Sequence, residues 1–366
     1  MKKITYSDVG DNYDTKDPIK KLAQTAAFKT GANLKKHGFL EISDTRGESA
    51  YVWKQGNIFM ASVIEGLGTK TLVADEMRKI TGKTYYNLVA HDTVASIVND
   101  LISVGARPLV VHAYWTVEDN EWLQDKVRMN DLITGWKKAC DISGVAWGGG
   151  ETATMKDVNI PDTVDLAGSA VGIINSKKGP ILGKDLKFGD RIILIQSTGL
   201  NANGISLARA IGKRLPKGYG TKMQSGRLYG EGVLNKSNIY AKLVQDLTEA
   251  EVDIHYISNI TGHGMRKIMR AGGNFTYIIE KIFEPQEVFL FIQKHAHIDD
   301  REIYSTYNMG QDYAIFVPEN QVQKTLEIIK KNKFKGLDAG YIEKGERQVI
   351  IKPKNLTYKG ESLNLR

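Results

Sequence analysis

Cysteine is almost missing from this chain. Its 366 residues include one, Cys140, which excludes an intrachain disulfide and a thiolate metal cluster. Long apolar runs are missing too. A stretch such as Val288-Phe289-Leu290-Phe291-Ile292 falls far short of the roughly 20 residues that a membrane span needs. The basic residues after Met1 have no apolar segment behind them, so no secretory signal is expected and the protein is expected to be cytoplasmic. The 36 glycines follow no period, which excludes a collagen-like array, and no longer repeat is visible. The common nucleotide signatures are also absent. Gly82-Lys83-Thr84 resembles the end of a phosphate-binding P-loop, but Met77 stands where its first glycine must be. No GxGxxG follows a predicted strand, no HExxH occurs, and the seven histidines show no zinc spacing.

What is present is the composition of a globular chain, 42% apolar and 25% charged, long enough for two domains. The net charge of +8 comes from lysines and arginines that are scattered. That fits anionic small molecules, phosphorylated substrates above all, better than a nucleic-acid groove, so neither nucleic acid nor membrane is expected as a partner.

Strand-like and helix-like segments alternate, with glycines where strands end, which argues an α/β class. Leu132 to Cys140 has helical spacing and Gly144 stops it; Val145-Ala146-Trp147 reads as a short strand. Arg191 to Ile195 reads as a second strand, followed by a glycine-bearing loop and a helix from Ile205 to Ile211. Between them Ile174 to Asp190 is polar and lysine-rich, with three glycines and a proline. It is the best linker, dividing the chain into domains 1–175 and 176–366.

Five segments could carry chemistry. In Glu65-Gly66-Leu67-Gly68-Thr69-Lys70 the glycines would let backbone approach a phosphate and the lysine would supply a point charge; a plain turn with an exposed lysine reads the same way. From Asp92 to Arg107 an apolar helical face (Val94, Ile97, Val98, Leu101) opposes a polar one of Asp92, Ser96, Asn99 and Asp100. The two aspartates would lie about 12 Å apart along the axis, too far for one ion at metal–oxygen distances of roughly 2.0–2.6 Å. Either several Mg²⁺ ions bridge a triphosphate or Asp92 caps the helix. Asp100 lies mid-helix, where capping does not explain it. Gly148-Gly149-Gly150-Glu151-Thr152 puts a carboxylate on a glycine turn at a strand end, suited to a metal that bridges phosphates. The loops Ser197–Gly204 and Asn259–Gly264 each precede a helix, where free N–H groups receive an anion. His263, in the second of these, reads as a surface loop residue.

Together these segments resemble the phosphoribosylformylglycinamidine cyclo-ligase family, also called aminoimidazole ribonucleotide (AIR) synthetase. The resemblance rests on Tyr6-Ser7-Asp8-Val9-Gly10-Asp11, Glu65 to Lys70, Val98-Asn99-Asp100 with Gly105-Ala106-Arg107-Pro108, and Gly149-Gly150-Glu151-Thr152. It continues through Asp165-Leu166-Ala167-Gly168, Gly199 to Gly204, Ile260-Thr261-Gly262 and Asn308-Met309-Gly310. It implies a two-domain PurM-like fold of α/β (α+β) type, an N-terminal domain that binds ATP and dimerises through its sheet, and a C-terminal substrate domain. It also implies an ATP- and Mg²⁺-dependent homodimer that phosphorylates the formyl oxygen of formylglycinamidine ribonucleotide, so that the amidine nitrogen can close the imidazole ring with release of ADP and phosphate. Under that resemblance Asp100, Lys70 and Asn201 are the catalytic candidates. Gly66, Gly68, Thr69, Lys70, Asp92, Asn99, Gly149, Gly150 and Thr152 would meet the nucleotide. Asn201, Asn203, Ser206, Thr261 and Gly262 would meet the phosphorylated ribonucleotide, and Glu65, Asp100 and Glu151 the metal.

The sequence departs from the family pattern in places. Glu65 replaces an aspartate, His112-Ala113-Tyr114 a leucine-aspartate-tyrosine, and Asn259 a histidine. Gly199-Leu200-Asn201-Ala202-Asn203 replaces a loop that carries another histidine, and Asn308-Met309-Gly310-Gln311-Asp312 also differs. A paralogue of the superfamily, either an enzyme for another substrate or a nucleotide-binding protein without turnover, is the alternative expectation.

Overall fold

Two mixed sheets, each with its own helices, divide the chain. The computed structural model describes residues 3–5, 7–10, 13–175 and 178–363. Tyr6 and Asp11 of the opening motif, Ser176 and Lys177 of the connecting segment, and residues 364–366 lie outside these.

The first unit opens with helices α1 (Tyr13–Thr30) and α2 (Ala32–Lys35). Strands β1 (Leu40–Glu41), β2 (Tyr51–Gln55) and β3 (Ile58–Gly66) follow, then helices α3 (Lys70–Thr81) and α4 (Tyr86–Ile102). Strand β4 (Arg107–Val117), helices α5 (Glu121–Gln124) and α6 (Lys126–Ser143), and strands β5 (Ala146–Thr154) and β6 (Val164–Ile174) complete it. The sheet order is β1-β2-β3-β6-β4-β5, antiparallel except between β4 and β5. Period-two patterning sets its faces. Ala113, Trp115 and Val117 of β4 turn inward, with Trp115, Trp136 of α6 and Trp147 of β5 clustered at ring separations of 5.5–5.9 Å. Ile64, Leu109 and Tyr114 remain exposed.

The second unit begins with β7 (Arg191–Gln196), α7 (Ile205–Arg214), α8 (Tyr229–Val233) and α9 (Ala241–Glu249). Then come β8 (Tyr256–Asn259), β9 (Phe275–Ile279), α10 (Glu287–Ala296), α11 (Asp300–Thr306), β10 (Gln311–Val317) and α12 (Val322–Lys331). Strands β11 (Gly336–Lys344), β12 (Gln348–Ile351) and β13 (Leu356–Lys359) close it. Its seven strands run β13-β12-β9-β11-β7-β10-β8, parallel only between β12 and β9. Both sheets are therefore largely antiparallel, the α+β form of the expected class. Among the described residues no helix is long and apolar enough to cross a membrane.

Three local expectations need correction. The helix expected to open at Asp92 begins at Tyr86, so Asp92 is interior to it and cannot be a cap. The triple glycine is not a turn but part of β5, and a Cβ on Gly150 would lie 2.0 Å from the Ala113 carbonyl oxygen of β4. Those glycines serve close strand approach. The expected helix after Gly264 is a six-residue 3₁₀ turn, Gly264–Met269. By contrast Gly204 stands where left-handed backbone is needed, at φ +75 before α7, and a Cβ there would strike the Tyr307 ring at 2.0 Å.

Helix α4 positions the candidate residues Asp92, Asn99 and Asp100. A helix apolar on one face normally shows its polar face to water, yet Asp92, Asn99 and Asp100 are all buried. The second unit covers them. Asp92 accepts from the Ser237 amide at 2.8 Å; Asn99 accepts from the Tyr240 amide at 3.0 Å and donates to the Asn238 carbonyl at 2.9 Å. The Tyr313 hydroxyl donates to the Asn99 carbonyl at 2.9 Å.

Candidate functional site

At one end of α4 the polar groups close on themselves. Lys70, the first residue of α3, is fully buried. Its ammonium has three donors, which go to the Asp92 carboxylate, the Asn201 carbonyl at 3.0 Å and the Asn235 carbonyl at 3.1 Å. The Asn201 amide donates to Asp312, whose other oxygen accepts from the Tyr240 hydroxyl at 2.6 Å. Burial pushes the Asp312 carboxyl up to about 6, against the pull of those hydrogen bonds. The reading of Lys70 as an exposed lysine is thus corrected: in this structure its donors go to protein, because the second unit supplies two carbonyls to a lysine that reads locally as exposed. Asp92 and Asn99, expected at the nucleotide, and Asn201, expected at the substrate, hold the two units together here.

At the other end the polar groups surround space. A cavity of about 260 Å³ lies between the units, lined by Glu65, Ser96 and Asp100 from the first and by Asn203, Asn259, Thr261, Gly262, Lys267 and Arg270 from the second. Glu65 arrives on the last turn-ward residues of β3, and Asp100 on α4. Asn259, at the end of β8, donates to Asp100 Oδ1 at 2.7 Å. Burial, with the Asp100 carboxylate beside it, pushes Glu65 up to about 8 in spite of Lys267 and Arg270. Burial and the neighbouring Arg270 lower Lys267 to about 8. The Arg270 guanidinium is committed to Gly47 O at 2.8 and 3.1 Å and to Ser49 Oγ at 2.6 Å. His263 also lines the cavity, buried rather than on the surface, at φ +69. Burial and the adjacent Lys267 and Arg266 lower its imidazole to about 2, so it is neutral across the physiological range.

The structure thus brings together Glu65, Asp100, Asn203, Thr261 and Gly262. It does not bring Glu151 to them: Glu151 is exposed on β5, the sheet-edge strand, paired with Tyr114. Among the described residues no group of three or more His, Cys, Asp or Glu is arranged to hold a metal; of the expected Glu65, Asp100 and Glu151, the first two share the cavity and the third stands apart from them. Gly149, Gly150 and Thr152 lie on the same exposed strand. Gly66 ends β3, Gly68 (φ +72) and Thr69 lead into Lys70, and Ser206 is half-buried in the first turn of α7. Sequence reasoning missed Lys267, Arg270 and Glu48. The one signal for the first two was that they follow an anion-suited loop.

Two carboxylates beside buried cations, in a cavity between two α+β units, are the site to be set against known proteins. Solved structures share the fold. The HypE–HypF complex matches with a TM-score of 0.59 at 17% identity, over 86% of this chain and 93% of that one. The hydrogenase maturation protein HypE in complex with ATP matches at 0.58 and 14%, over 84% and 85%. Residues 47–174 match the AIR synthase related protein N-terminal domain and residues 187–352 its C-terminal domain; the chain belongs to the AIR synthase related family. Among its relatives, the phosphoribosylformylglycinamidine cyclo-ligase of Caldicellulosiruptor bescii is 32% identical over 362 residues, 95% of this chain and 99% of that protein. The enzyme of that name from Methanosarcina mazei is 31% identical over 331 residues, 89% and 92%.

Proposed function

We propose that this chain is a phosphoribosylformylglycinamidine cyclo-ligase, closing the imidazole ring of 5-aminoimidazole ribonucleotide in purine biosynthesis at the expense of ATP. The observation that carries the reading is the Glu65–Asp100 carboxylate pair facing Lys267 across a cavity between the two units, in a chain that matches enzymes of this name over almost its whole length. Phosphorylation turns the formyl oxygen into a leaving group; attack by the amidine nitrogen then forms the C–N bond and expels phosphate. Such chemistry asks the protein mainly to position groups and balance charge. That agrees with a cavity whose one histidine is held neutral.

The carboxylate pair fits a divalent cation. Burial and mutual repulsion favour a proton on Glu65, and a cation between the two oxygens would relieve the same repulsion. Glu65 and Asp100 would hold Mg²⁺, which neutralises nucleotide phosphate charge when bound. Asn259 fixes the Asp100 carboxylate through its 2.7 Å bond, doing by amide donation what a histidine would do there. Asn203, Thr261 and Gly262 line the side of the cavity nearer the second unit and are assigned to the ribonucleotide. The exposed apolar residues Ile64, Leu109 and Tyr114 on the first sheet support homodimerisation through that face.

The test is ADP release from the purified protein with Mg-ATP, with and without formylglycinamidine ribonucleotide, while the imidazole product is followed. Substrate-dependent ADP and 5-aminoimidazole ribonucleotide in equal amounts are expected. ATP hydrolysis that ignores the ribonucleotide, or ADP without the product, overturns the reading.

A further inference from the structure

Two buried lysines in this molecule are treated in opposite ways. Lys70 has three acceptors for its three donors. Lys267 is buried too, but among the described residues its ammonium makes one hydrogen bond, to the neutral Thr261 hydroxyl at 2.8 Å, and no ion pair within 4.0 Å. Charged groups face it from every side. Glu65 comes from β3, Asp100 from α4, Glu48 from the loop before β2 and Lys20 from α1, while His263 and Arg270 belong to its own loop and turn. Arg270 is occupied by Gly47 and Ser49. Among the described residues Lys267 is therefore the buried lysine of the cavity with donors to spare, Lys20 being largely exposed, and burying an ammonium with so few acceptors is costly unless a ligand supplies them.

We infer that Lys267 is a phosphoryl-binding residue, its two remaining N–H donors taking oxygens of a phosphate group seated in the cavity between Asp100 and Thr261. This rests on the ring-closure reading, which it sharpens. A phosphate suits the place better than a carboxylate, because a tetrahedral dianion accepts from several directions at once and Thr261, Asn203 and Asn259 bring further donors to the same walls. Two phosphates could be the guest: the terminal phosphate of ATP, or the phosphate ester of the ribonucleotide. A local reason exists for the lysine's reach. The 3₁₀ turn Gly264–Met269 places Lys267 three residues after Gly264, whose φ of +53 lets the backbone pass 2.3 Å, measured to a would-be Cβ, from the Tyr304 carbonyl oxygen. The turn is thereby pinned under the cavity floor.

The test is calorimetric binding to the full-length protein and to Lys267→Met and Lys267→Arg, with paired probes. One pair is β,γ-methylene ATP against ADP; the other is formylglycinamidine ribonucleotide against its dephosphorylated riboside. Wild type is expected to prefer the phosphorylated member of at least one pair. Lys267→Met should erase that preference, weakening the phosphorylated member on the order of 10- to 100-fold and its partner by less than about twofold. Lys267→Arg should restore most of it. Loss confined to the first pair identifies the ATP phosphate, and loss confined to the second the ribonucleotide phosphate. Equal affinities for wild type and Lys267→Met overturn the assignment, and so does equal weakening of both members of each pair, which marks a structural role. Lys267→Gln replaces Lys267→Met should the latter not fold. Wild type that binds through Lys267 yet makes no imidazole product would refute the ring-closure reading and leave the phosphate site standing.

Discussion

At one end of α4 a lysine meets an aspartate inside the protein, Lys70 with Asp92; at the other a lysine looks toward an aspartate across a cavity, Lys267 toward Asp100. The residue types are the same and both places are buried between the same two units. What differs is the count of acceptors. Where backbone carbonyls of Asn201 and Asn235 complete the lysine's shell, the arrangement is finished and serves cohesion. Where one threonine hydroxyl stands in for three acceptors, and a second carboxylate, Glu65, adds repulsion instead of pairing, the lysine keeps donors unused, which is the ground for the proposed phosphate site. Burial alone does not separate the two arrangements in this chain; hydrogen-bond saturation does.

Breaking the closed end should have the largest effect. Lys70→Met leaves the Asp92 carboxylate buried without its cation and should cost about 3–5 kcal/mol of stability, read from urea unfolding; a cost below about 1 kcal/mol would mean the shell is not closed. At the open end Asp100→Asn should lower ring-closing turnover by about 100-fold or more while the unfolding free energy stays within about 1 kcal/mol of wild type. If the two mutants traded places, with Asp100→Asn unfolding the protein, the contrast would be wrong. Asn201→Gly keeps the φ of +59 without strain but removes the amide from Asp312. It should cost about 1–3 kcal/mol, seen as a lower denaturation midpoint.

The smallest effect is one of pH. Glu65 holds its proton more tightly folded, near 8, than its ordinary 4.5. Its contribution is therefore complete below about 4.5 and lost as pH rises toward 8. With chelator present, stability should decline across that window, and Glu65→Gln should flatten the decline; identical slopes in the two proteins would remove Glu65 from the buried pair.

Much of this was legible along the chain. The strand at Arg191–Gln196, the helix at Ile205–Arg214 and the stop at Gly144, which takes φ +67, follow from periodicity and glycine, which act over a few residues. Asp100 stood out because no cap could explain it. The burial of Lys70 was not legible because its partners Asn201 and Asn235 are 131 and 165 residues away, and a glycine loop ending in lysine looks the same whether its ammonium meets phosphate or carbonyl. The triple glycine misled for a related reason: closeness of β5 to Ala113 of β4 demands glycine as firmly as a phosphate does. Lys267 gave no local sign beyond following an anion-suited loop, since a lysine in a short turn is ordinarily solvated, and its burial comes from the cavity walls closing round it.

The hydrogen bonds that α4 accepts from Ser237 and Tyr240 have a further consequence. They join residues on opposite sides of the connection between β6 and β7, so the peptide link there supplies proximity while the mutual recognition lies elsewhere. A gene split at that connection should yield two polypeptides that find each other and assemble, and neither half should be obtained in quantity when made by itself. The protein would behave as a heterodimer that happens to be synthesised as one chain.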